Sequence, residues 1–216
     1  EGGSNERCIR KNKGTNFKYI IVSSLGSNDE KVIVFSAPSG AGKTTIVHAL
    51  LKELSNRLSF SVSACSRAPR ENEIDGQDYH FIGLQGFNDK IENQQFIEWE
   101  EVYKDHYYGT LNSELTRIWN ENKTVVFDVD VIGGLNLKEN FGERALSIFV
   151  MPPSIDTLET RLRNRETETE DRIQQRMGKA AEEIALASKF DVILMNDNLK
   201  NAIVEAKRIV NQFIES

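Results

Sequence analysis

The stretch VIVFSAPSGAGKTT, residues 32 to 45, constrains the fold more than any other feature of the chain. Its first four residues are apolar and predict a buried strand, and the apolar residues of the segment 44 to 54 recur at helical spacing. Between strand and helix lies a short turn that contains Gly40 and Gly42. A buried strand, a glycine-rich turn and a helix in direct succession are typical of an α/β domain with a mostly parallel sheet.

The chain repeats this alternation from Lys31 onward. Later strands are predicted over residues 124 to 130, 146 to 151 and 191 to 195. Helices are predicted over residues 113 to 121, 154 to 163, 172 to 188 and 199 to 214. Between the first helix and residue 124, short strands are predicted at residues 59 to 65, 78 to 82 and 95 to 102. We expect an inserted β-rich subdomain there.

Residues 1 to 30 differ in texture from the rest of the chain. They mix Gly, Ser, Asn and charged residues, and their one apolar run, residues 19 to 22, is too short for a signal-peptide core. We expect a flexible N-terminal extension or an expression leader, with an edge strand at residues 17 to 23 as the less favoured alternative.

The loop segment APSGAGKT, residues 37 to 44, matches the phosphate-loop pattern GxxxxGK[ST] at every defined position except the first, where Ala37 replaces glycine. Glycines allow successive backbone N–H groups to point at phosphate oxygens, and the helix that follows adds the positive end of its dipole. Lys43 would neutralise the β and γ oxygens of a nucleoside triphosphate, and the Thr44 hydroxyl would ligate Mg²⁺. The alternative is a glycine-rich turn with an incidental lysine. The predicted phosphate contacts are Ser39, Gly40, Ala41, Gly42, Lys43, Thr44 and Thr45.

Composition excludes several other kinds of function. A formal net charge of −6 argues against a protein that coats nucleic acid, and no apolar run approaches the roughly 18 residues that cross a membrane. Cys8 and Cys65 are too few for a disulfide framework and indicate a reducing, cytoplasmic setting. The three histidines lack metal-ligand spacing. Small anionic ligands remain compatible, because a mononucleotide needs only a few well-placed arginines.

Two further patterns distinguish a kinase from a molecular switch. The segment DVIG, residues 130 to 133, fits the DxxG pattern of regulatory GTPases, but the chain has no NKxD element for guanine, so we interpret the match as accidental. In SVSACSRAPR, residues 61 to 70, Arg67 and Arg70 lie three positions apart in a predicted turn, and Tyr79 follows. Two guanidinium groups and a phenol suit a dianionic monophosphate. Taken alone, the arginine pair is equally compatible with a solvated surface turn.

With these segments together, the chain resembles the guanylate kinase family from about Val32 to Ile214. The resemblance is carried by SAPSGAGKTT, SVSACSRAPRENEIDGQDYHF, FIEWEEVYKDHYYGT, FDVDVIGG, PPSIDTLETRLRNRETETEDRIQQRM and NDNL, in the order and spacing of the family. It implies phosphorylation of GMP or dGMP by ATP, with Mg²⁺ and without a covalent enzyme intermediate. It leaves the oligomeric state undetermined.

The resemblance also assigns residues to GMP. It places the monophosphate among Ser63, Arg67, Arg70, Tyr79 and Tyr108. It places the guanine base against the carboxylate of Glu98 and the hydroxyl of Thr110. A carboxylate accepts the adjacent N1–H and N2–H donors of guanine, whereas adenine presents an acceptor at that edge. It further implies that Asp128 lies near the magnesium and the phosphate loop and that Asp130 lies beside GMP.

For the donor side, the resemblance implies a lid with Arg161, Arg165 and Arg176 that closes over the triphosphate. With Lys43, these arginines would stabilise the charge of the transferring group, since phosphoryl transfer depends on positioning and electrostatics. Asn196 in NDNL would contact adenine; alternatively, this Asn and Asp form a turn before the last helix.

The resulting prediction is an α/β fold: a P-loop NTPase-like core with a parallel sheet flanked by helices, an inserted β-rich GMP-binding subdomain and a small helical lid. The predicted core covers residues 31–62, 113–155 and 179–216, the GMP-binding subdomain 63–112 and the lid 156–178.

Three positions depart from the family pattern, namely Ala37, Ile132 and Glu166, and we expect them to affect rate more than reaction type. One alternative function is that of an inactive guanylate-kinase-like module that binds peptides. Such modules typically lack the loop lysine or the lid arginines. A second alternative is a kinase for a phosphorylated sugar, which Glu98 and Thr110 oppose.

Overall fold

The computed structural model describes residues 9 to 11, 17 to 20, 30 to 163 and 170 to 216. Its strands are β1 (Ile9–Lys11), β2 (Phe17–Ile20), β3 (Val32–Ser36), β4 (Leu58–Phe60), β5 (Ala64–Cys65), β6 (His80–Phe81), β7 (Phe96–Tyr103), β8 (His106–Leu111), β9 (Thr124–Asp128), β10 (Ala145–Met151) and β11 (Val192–Met195). Its helices are α1 (Lys43–Glu53), α2 (Gly83–Glu92), α3 (Asn112–Asn120), α4 (Val131–Phe141), α5 (Ile155–Arg163), α6 (Glu170–Ala185) and α7 (Leu199–Glu215).

The chain divides into two compact units. Among the described residues, the insertion unit comprises β1, β2 and residues 60 to 122, and the core unit comprises residues 30 to 59, 123 to 163 and 170 to 216. Within the described ranges, no helix has the length and apolar character needed to cross a membrane.

A five-stranded sheet in the order β11-β10-β3-β9-β4 forms the centre of the core unit. β3 pairs in parallel with both β9 and β10, and β10 pairs in parallel with β11. Every residue of β3 is buried, as expected for a central strand of a parallel sheet. Phe35, Phe127 and Phe149 are at most 2% exposed, and each such burial contributes roughly 1.5–3 kcal/mol. The predicted α/β class and parallel sheet are therefore confirmed.

The register of this sheet brings two functional segments together. Phe35 in β3 lies opposite Asp128 in β9, so the carboxyl ends of these parallel strands are adjacent. Ligands of open α/β sheets bind at such carboxyl ends. The turn after β3 leads into α1, which buries Ile46, Val47 and Leu50.

Helix α4 follows β9. The sequence does not predict this helix, because Gly133 and Gly134 each lower helix propensity by about 1 kcal/mol. Asp130 caps this helix: the backbone N–H of Gly133 donates to Asp130 Oδ1 at 2.8 Å. A Cβ atom on Gly134 would overlap Ser36 Oγ, so glycine permits the close approach of α4 to β3. The DVIG segment therefore forms a capped helix start.

The insertion unit has a six-stranded sheet in the order β1-β2-β7-β8-β5-β6. All described pairs in it are antiparallel except β5 with β6, which is parallel. One face buries a cluster of Ala64, Phe87, Phe96, Trp99 and Leu111. Within this cluster the rings of Phe87 and Phe96 stack with centroids 4.3 Å apart. Phe87 belongs to α2, which sequence periodicity does not predict.

Two sequence-based expectations differ from the structure. The predicted single strand 59 to 65 is wrong: it is split into β4, in the core sheet, and β5, in the other sheet. Alternation of apolar residues does not specify which sheet a strand joins, and the chain leaves the core unit at this point. The segment 1 to 30, expected as a flexible extension or leader, contains β1 and β2. β2 pairs with β7 and lies within residues 17 to 23, where a strand is the less favoured alternative from the sequence. The apolar residues of Phe17–Ile20 and an available edge of β7 favour this pairing. The other residues up to 29 lie outside the described part of the chain.

Candidate functional site

The loop between β3 and α1 has the backbone that its glycines predict. Gly40 and Gly42 both have a φ of +91°, a backbone conformation that residues with a Cβ atom rarely adopt. The N–H of Ala41 donates to the carbonyl of Pro38 at 3.1 Å, which closes the turn, and α1 begins at Lys43. The positive end of this helix therefore follows the loop directly.

Lys43 and Thr44 both contact Asp128 at the end of β9. Lys43 Nζ forms an ion pair with Asp128 and donates to the carbonyl of Val129 at 2.6 Å. Thr44 Oγ1 donates to Asp128 Oδ2 at 2.9 Å. The strand end thus fixes the lysine and the hydroxyl that the motif assigns to phosphate and Mg²⁺. Asp130, two residues later, caps α4 with one oxygen.

The loop is braced from the other side by Asn196. This residue is 3% exposed, and its Nδ2 donates to the carbonyl of Ala41 at 2.7 Å. Arg161 in α5 donates to the carbonyl of Asn196 at 3.2 Å and to that of Ala41 at 3.5 Å. Asn196 Oδ1 is buried without a hydrogen-bond partner among the described atoms. The structure thus brings Asn196 and Arg161 to the phosphate loop.

A cavity of about 470 Å³ lies at the phosphate loop, and helix α6 also lines it. Arg176 donates to Ser39 Oγ at 2.5 Å. Lys179 Nζ lies 3.5 Å from Glu183 and 3.9 Å from Asp130. Burial raises the pKa of the Glu183 carboxyl above its ordinary value, while the positive charge of Lys179 opposes the shift. Neither Lys179 nor Glu183 is predicted from the sequence.

In the insertion unit, Arg67 is the centre of a cluster that we call the arginine–tyrosine cluster: Arg67, Glu73, Tyr79 and Tyr108. The Arg67 guanidinium donates two 2.6 Å hydrogen bonds to the carboxylate of Glu73, and its Nε donates to Tyr108 OH at 3.0 Å. It also lies over the ring of Tyr79, 5.1 Å from the centroid. The rings of Tyr79 and Tyr108 meet edge to face at 5.7 Å. Residues from separate segments of the chain thus contact the guanidinium group of Arg67.

Glu73 is the member of this cluster that the sequence does not indicate. It also accepts the backbone N–H of Arg70 at 2.8 Å, so it links both arginines of the turn. The hydrogen bonds from the Arg67 side chain, and to a lesser extent the one from the Arg70 backbone, lower the pKa of Glu73 to about 2. The carboxylate therefore stays ionised at neutral pH and balances the charge of Arg67.

The other predicted GMP contacts differ in their burial and in the unit to which they belong. Thr110 is fully buried and donates to Glu98 Oε1 at 2.7 Å across the β7–β8 pair. The carbonyl of Ser63 accepts the N–H of His80 at 2.9 Å, and the Arg70 side chain is exposed. Asp128 and Asp130 belong to the core unit, with the phosphate loop. On the donor side, the predicted phosphate contact Thr45 is exposed at the start of α1.

Two predicted lid positions, Arg165 and Glu166, lie outside the described residues. The described ends of this segment are joined by Arg163, which pairs with Glu159 at 2.7 Å and with Glu170 at 2.5 Å.

The family to which these sites belong follows from comparison with known proteins. The family model described as guanylate kinase matches residues 29–213. A relative named guanylate kinase from Porphyromonas gingivalis is 47% identical over 184 residues, which cover 85% of this chain and 98% of the relative. One from Bacteroides thetaiotaomicron is 46% identical over 199 residues, covering 92% and 95% of the two chains. The crystal structure of guanylate kinase from Anaplasma phagocytophilum is similar with a TM-score of 0.62 and 25% identity, covering 84% of this chain and 85% of that one. The chain belongs to the guanylate kinase family.

Proposed function

We propose that the protein transfers the γ-phosphate of ATP to GMP or dGMP and releases ADP and GDP or dGDP. The observation that carries this proposal is the hydrogen bond between the carboxylate of Glu98 and the buried hydroxyl of Thr110, in a chain that also has a phosphate loop. Membership of the guanylate kinase family supports it. The enzyme is thus an ATP:GMP phosphotransferase.

The acceptor nucleotide is bound in the insertion unit. Ser63, Arg67, Arg70, Tyr79 and Tyr108 bind the monophosphate of GMP. Glu98 accepts the N1–H and N2–H of guanine, and Thr110 holds the carboxylate in place through its 2.7 Å hydrogen bond. Adenine would present an acceptor to this carboxylate and leave it unpaired, so AMP is discriminated against.

The donor ATP is bound at the phosphate loop. Backbone N–H groups from Ser39 to Thr45 bind the phosphates, and Lys43 neutralises the β and γ oxygens. Asn196 is the adenine-side contact, since its buried Oδ1 accepts no hydrogen bond in the described part of the chain and can accept from an amino group.

The oxygen donors beside the loop fit Mg²⁺. Thr44 Oγ1 and the Asp128 carboxylate lie 2.9 Å apart, and hydroxyl and carboxylate oxygens are the ligands that Mg²⁺ takes together with phosphate. When bound, Mg²⁺ neutralises charge on the phosphate oxygens.

Transfer proceeds by direct in-line attack of a GMP phosphate oxygen on the γ-phosphorus of ATP. The bond from the γ-phosphorus to the bridging oxygen breaks, and ADP leaves. Lys43, Arg161 and Arg176 stabilise the charge of the transferring group. Arg165 has the same role as a sequence-based prediction.

Small-molecule nucleotides are the only partners that this proposal requires, with no role for nucleic acid or a membrane. A cytoplasmic location is supported by the free, buried thiol of Cys65, which suits a reducing compartment.

A coupled assay of ADP release with ATP and each of GMP, AMP, CMP and UMP tests the proposed function. We expect GMP to be phosphorylated and the other three to be poor acceptors. Equal initial rates with AMP and GMP would overturn the assignment of Glu98. No ADP release with any acceptor would overturn the enzyme proposal and favour the inactive peptide-binding module.

A further inference from the structure

Three charged side chains on one face of α6 line the phosphate-loop cavity. Arg176, Lys179 and Glu183 are spaced three and four residues apart, which places them on the same side of a helix. Arg176 is already engaged with Ser39 in the loop. Lys179 therefore lies one turn beyond a loop contact, with its side chain at the same cavity.

The ammonium of Lys179 is held less tightly than that of Lys43. Lys43 forms a close ion pair with Asp128 and a 2.6 Å hydrogen bond with the carbonyl of Val129. Lys179 lies 3.5 Å from Glu183 and 3.9 Å from Asp130, beyond the roughly 2.7–2.9 Å of a short charge-assisted hydrogen bond. An anionic ligand in the cavity can therefore attract this ammonium without first breaking a short contact.

Glu183 gives the lysine a fixed anchor. The residue is only 8% exposed, whereas the side chain of Lys179 is 63% exposed. A buried carboxylate requires a nearby positive charge or hydrogen bonds, because water no longer stabilises it. The lysine thus has a carboxylate partner on its buried side and an open approach on the other.

We propose that Lys179 is a further phosphate-binding residue of the ATP site and that Glu183 is the positioning residue that holds its ammonium at the phosphate-loop cavity. This inference rests on the proposed function, because it identifies the ligand as the triphosphate of ATP. Its chemical basis is general: a lysine with three rotatable donors binds phosphate as a compact charge.

The test compares Lys179→Met, Lys179→Arg and the matched control Lys189→Met, which removes an exposed lysine outside the cavity. For Lys179→Met we expect kcat/KM for ATP to fall about tenfold, with KM for GMP within about twofold of the wild type, because one partly exposed charge–phosphate contact is lost. Lys179→Arg should recover most of the loss, and Lys189→Met should match the wild type. Calorimetry with a non-hydrolysable ATP analogue should show the same tenfold loss of affinity, and GMP affinity should be unchanged.

Glu183 is tested by a double-mutant cycle. We expect Glu183→Gln to lower kcat/KM for ATP about threefold in the wild type and to have no further effect in Lys179→Met, since a residue that acts only through the lysine has nothing left to position. Additive losses would overturn the positioning role of Glu183.

Unchanged affinity of Lys179→Met for the ATP analogue would overturn the assignment of Lys179, even if the wild type phosphorylates GMP. Absence of turnover in the wild type would overturn the proposed function, and the calorimetric titration would still decide whether Lys179 binds the triphosphate. Thermal unfolding of each variant identifies any loss that reflects misfolding, and Lys179→Arg keeps the test valid in that case.

Discussion

Gly42 is the position where the phosphate loop tolerates a side chain least, and Gly42→Ala should destabilise the protein. Its φ of +91° costs an L-residue about 1–2 kcal/mol. A Cβ atom there would overlap Asn196 Nδ2, which is buried and donates to the carbonyl of Ala41. Displacing that amide costs about 1–3 kcal/mol more, because a buried hydrogen bond is broken. We expect a loss of about 2–5 kcal/mol in the free energy of unfolding.

Two glycine variants separate the components of this cost. Gly76→Ala meets nothing within 4 Å but has a φ of +76°, so it carries the backbone cost without an overlap. Gly178→Ala meets nothing within 4 Å in the middle of α6, where alanine should stabilise the helix by up to about 1 kcal/mol. Urea unfolding of the three variants, together with calorimetry of the ATP analogue, measures the differences. If Gly42→Ala is no less stable than Gly76→Ala, the packing of Asn196 against the loop does not limit this position.

Two further variants test the division of roles between the sites. Lys43→Ala should abolish turnover because it removes the cation beside Asp128, yet leave GMP affinity within about tenfold in calorimetry; loss of GMP binding would contradict its assignment to the donor. Glu73→Gln should weaken GMP binding about tenfold, because Arg67 loses the carboxylate that orients it, whereas the exposed neighbour Glu71→Gln should have no effect. The pKa of Glu73 is lowered from 4.5 to about 2, so the stability that its ion pair contributes is present above pH 4.5 and is lost as the pH falls toward 2. The difference in unfolding free energy between the wild type and Glu73→Gln should therefore shrink over that interval, and a constant difference would refute the pairing.

The parts of the molecule that sequence predicts are those set by local pattern. β3, the loop and α1 follow one another directly, so apolar spacing and two glycines suffice to identify them. Ala37 is compatible with the loop, since positive φ among the described non-glycine residues occurs only at Gln94, Asp105 and Asn122. Alanine is therefore not strained at the first motif position.

The parts that sequence does not predict depend on contacts between distant segments. α4 forms despite its two glycines because Asp130 caps it and Ser36 packs against it. Glu73 resembles any exposed glutamate until the turn places it against Arg67. The only sequence signal for Lys179 is its position three residues after Arg176, which predicts a shared helix face but not a cavity.

We propose that the selectivity of this kinase for GMP resides in Glu98. The most direct measurement is the transfer of radiolabelled γ-phosphate from ATP to GMP and to AMP by the wild type and by Glu98→Gln. We predict labelled GDP from the wild type with little labelled ADP from AMP, and a loss of about 100-fold with GMP in Glu98→Gln, since a carboxylate that accepts two base donors is replaced by an amide. A Glu98→Gln variant that phosphorylates GMP as fast as the wild type, or a wild type that labels AMP and GMP equally, would contradict the claim.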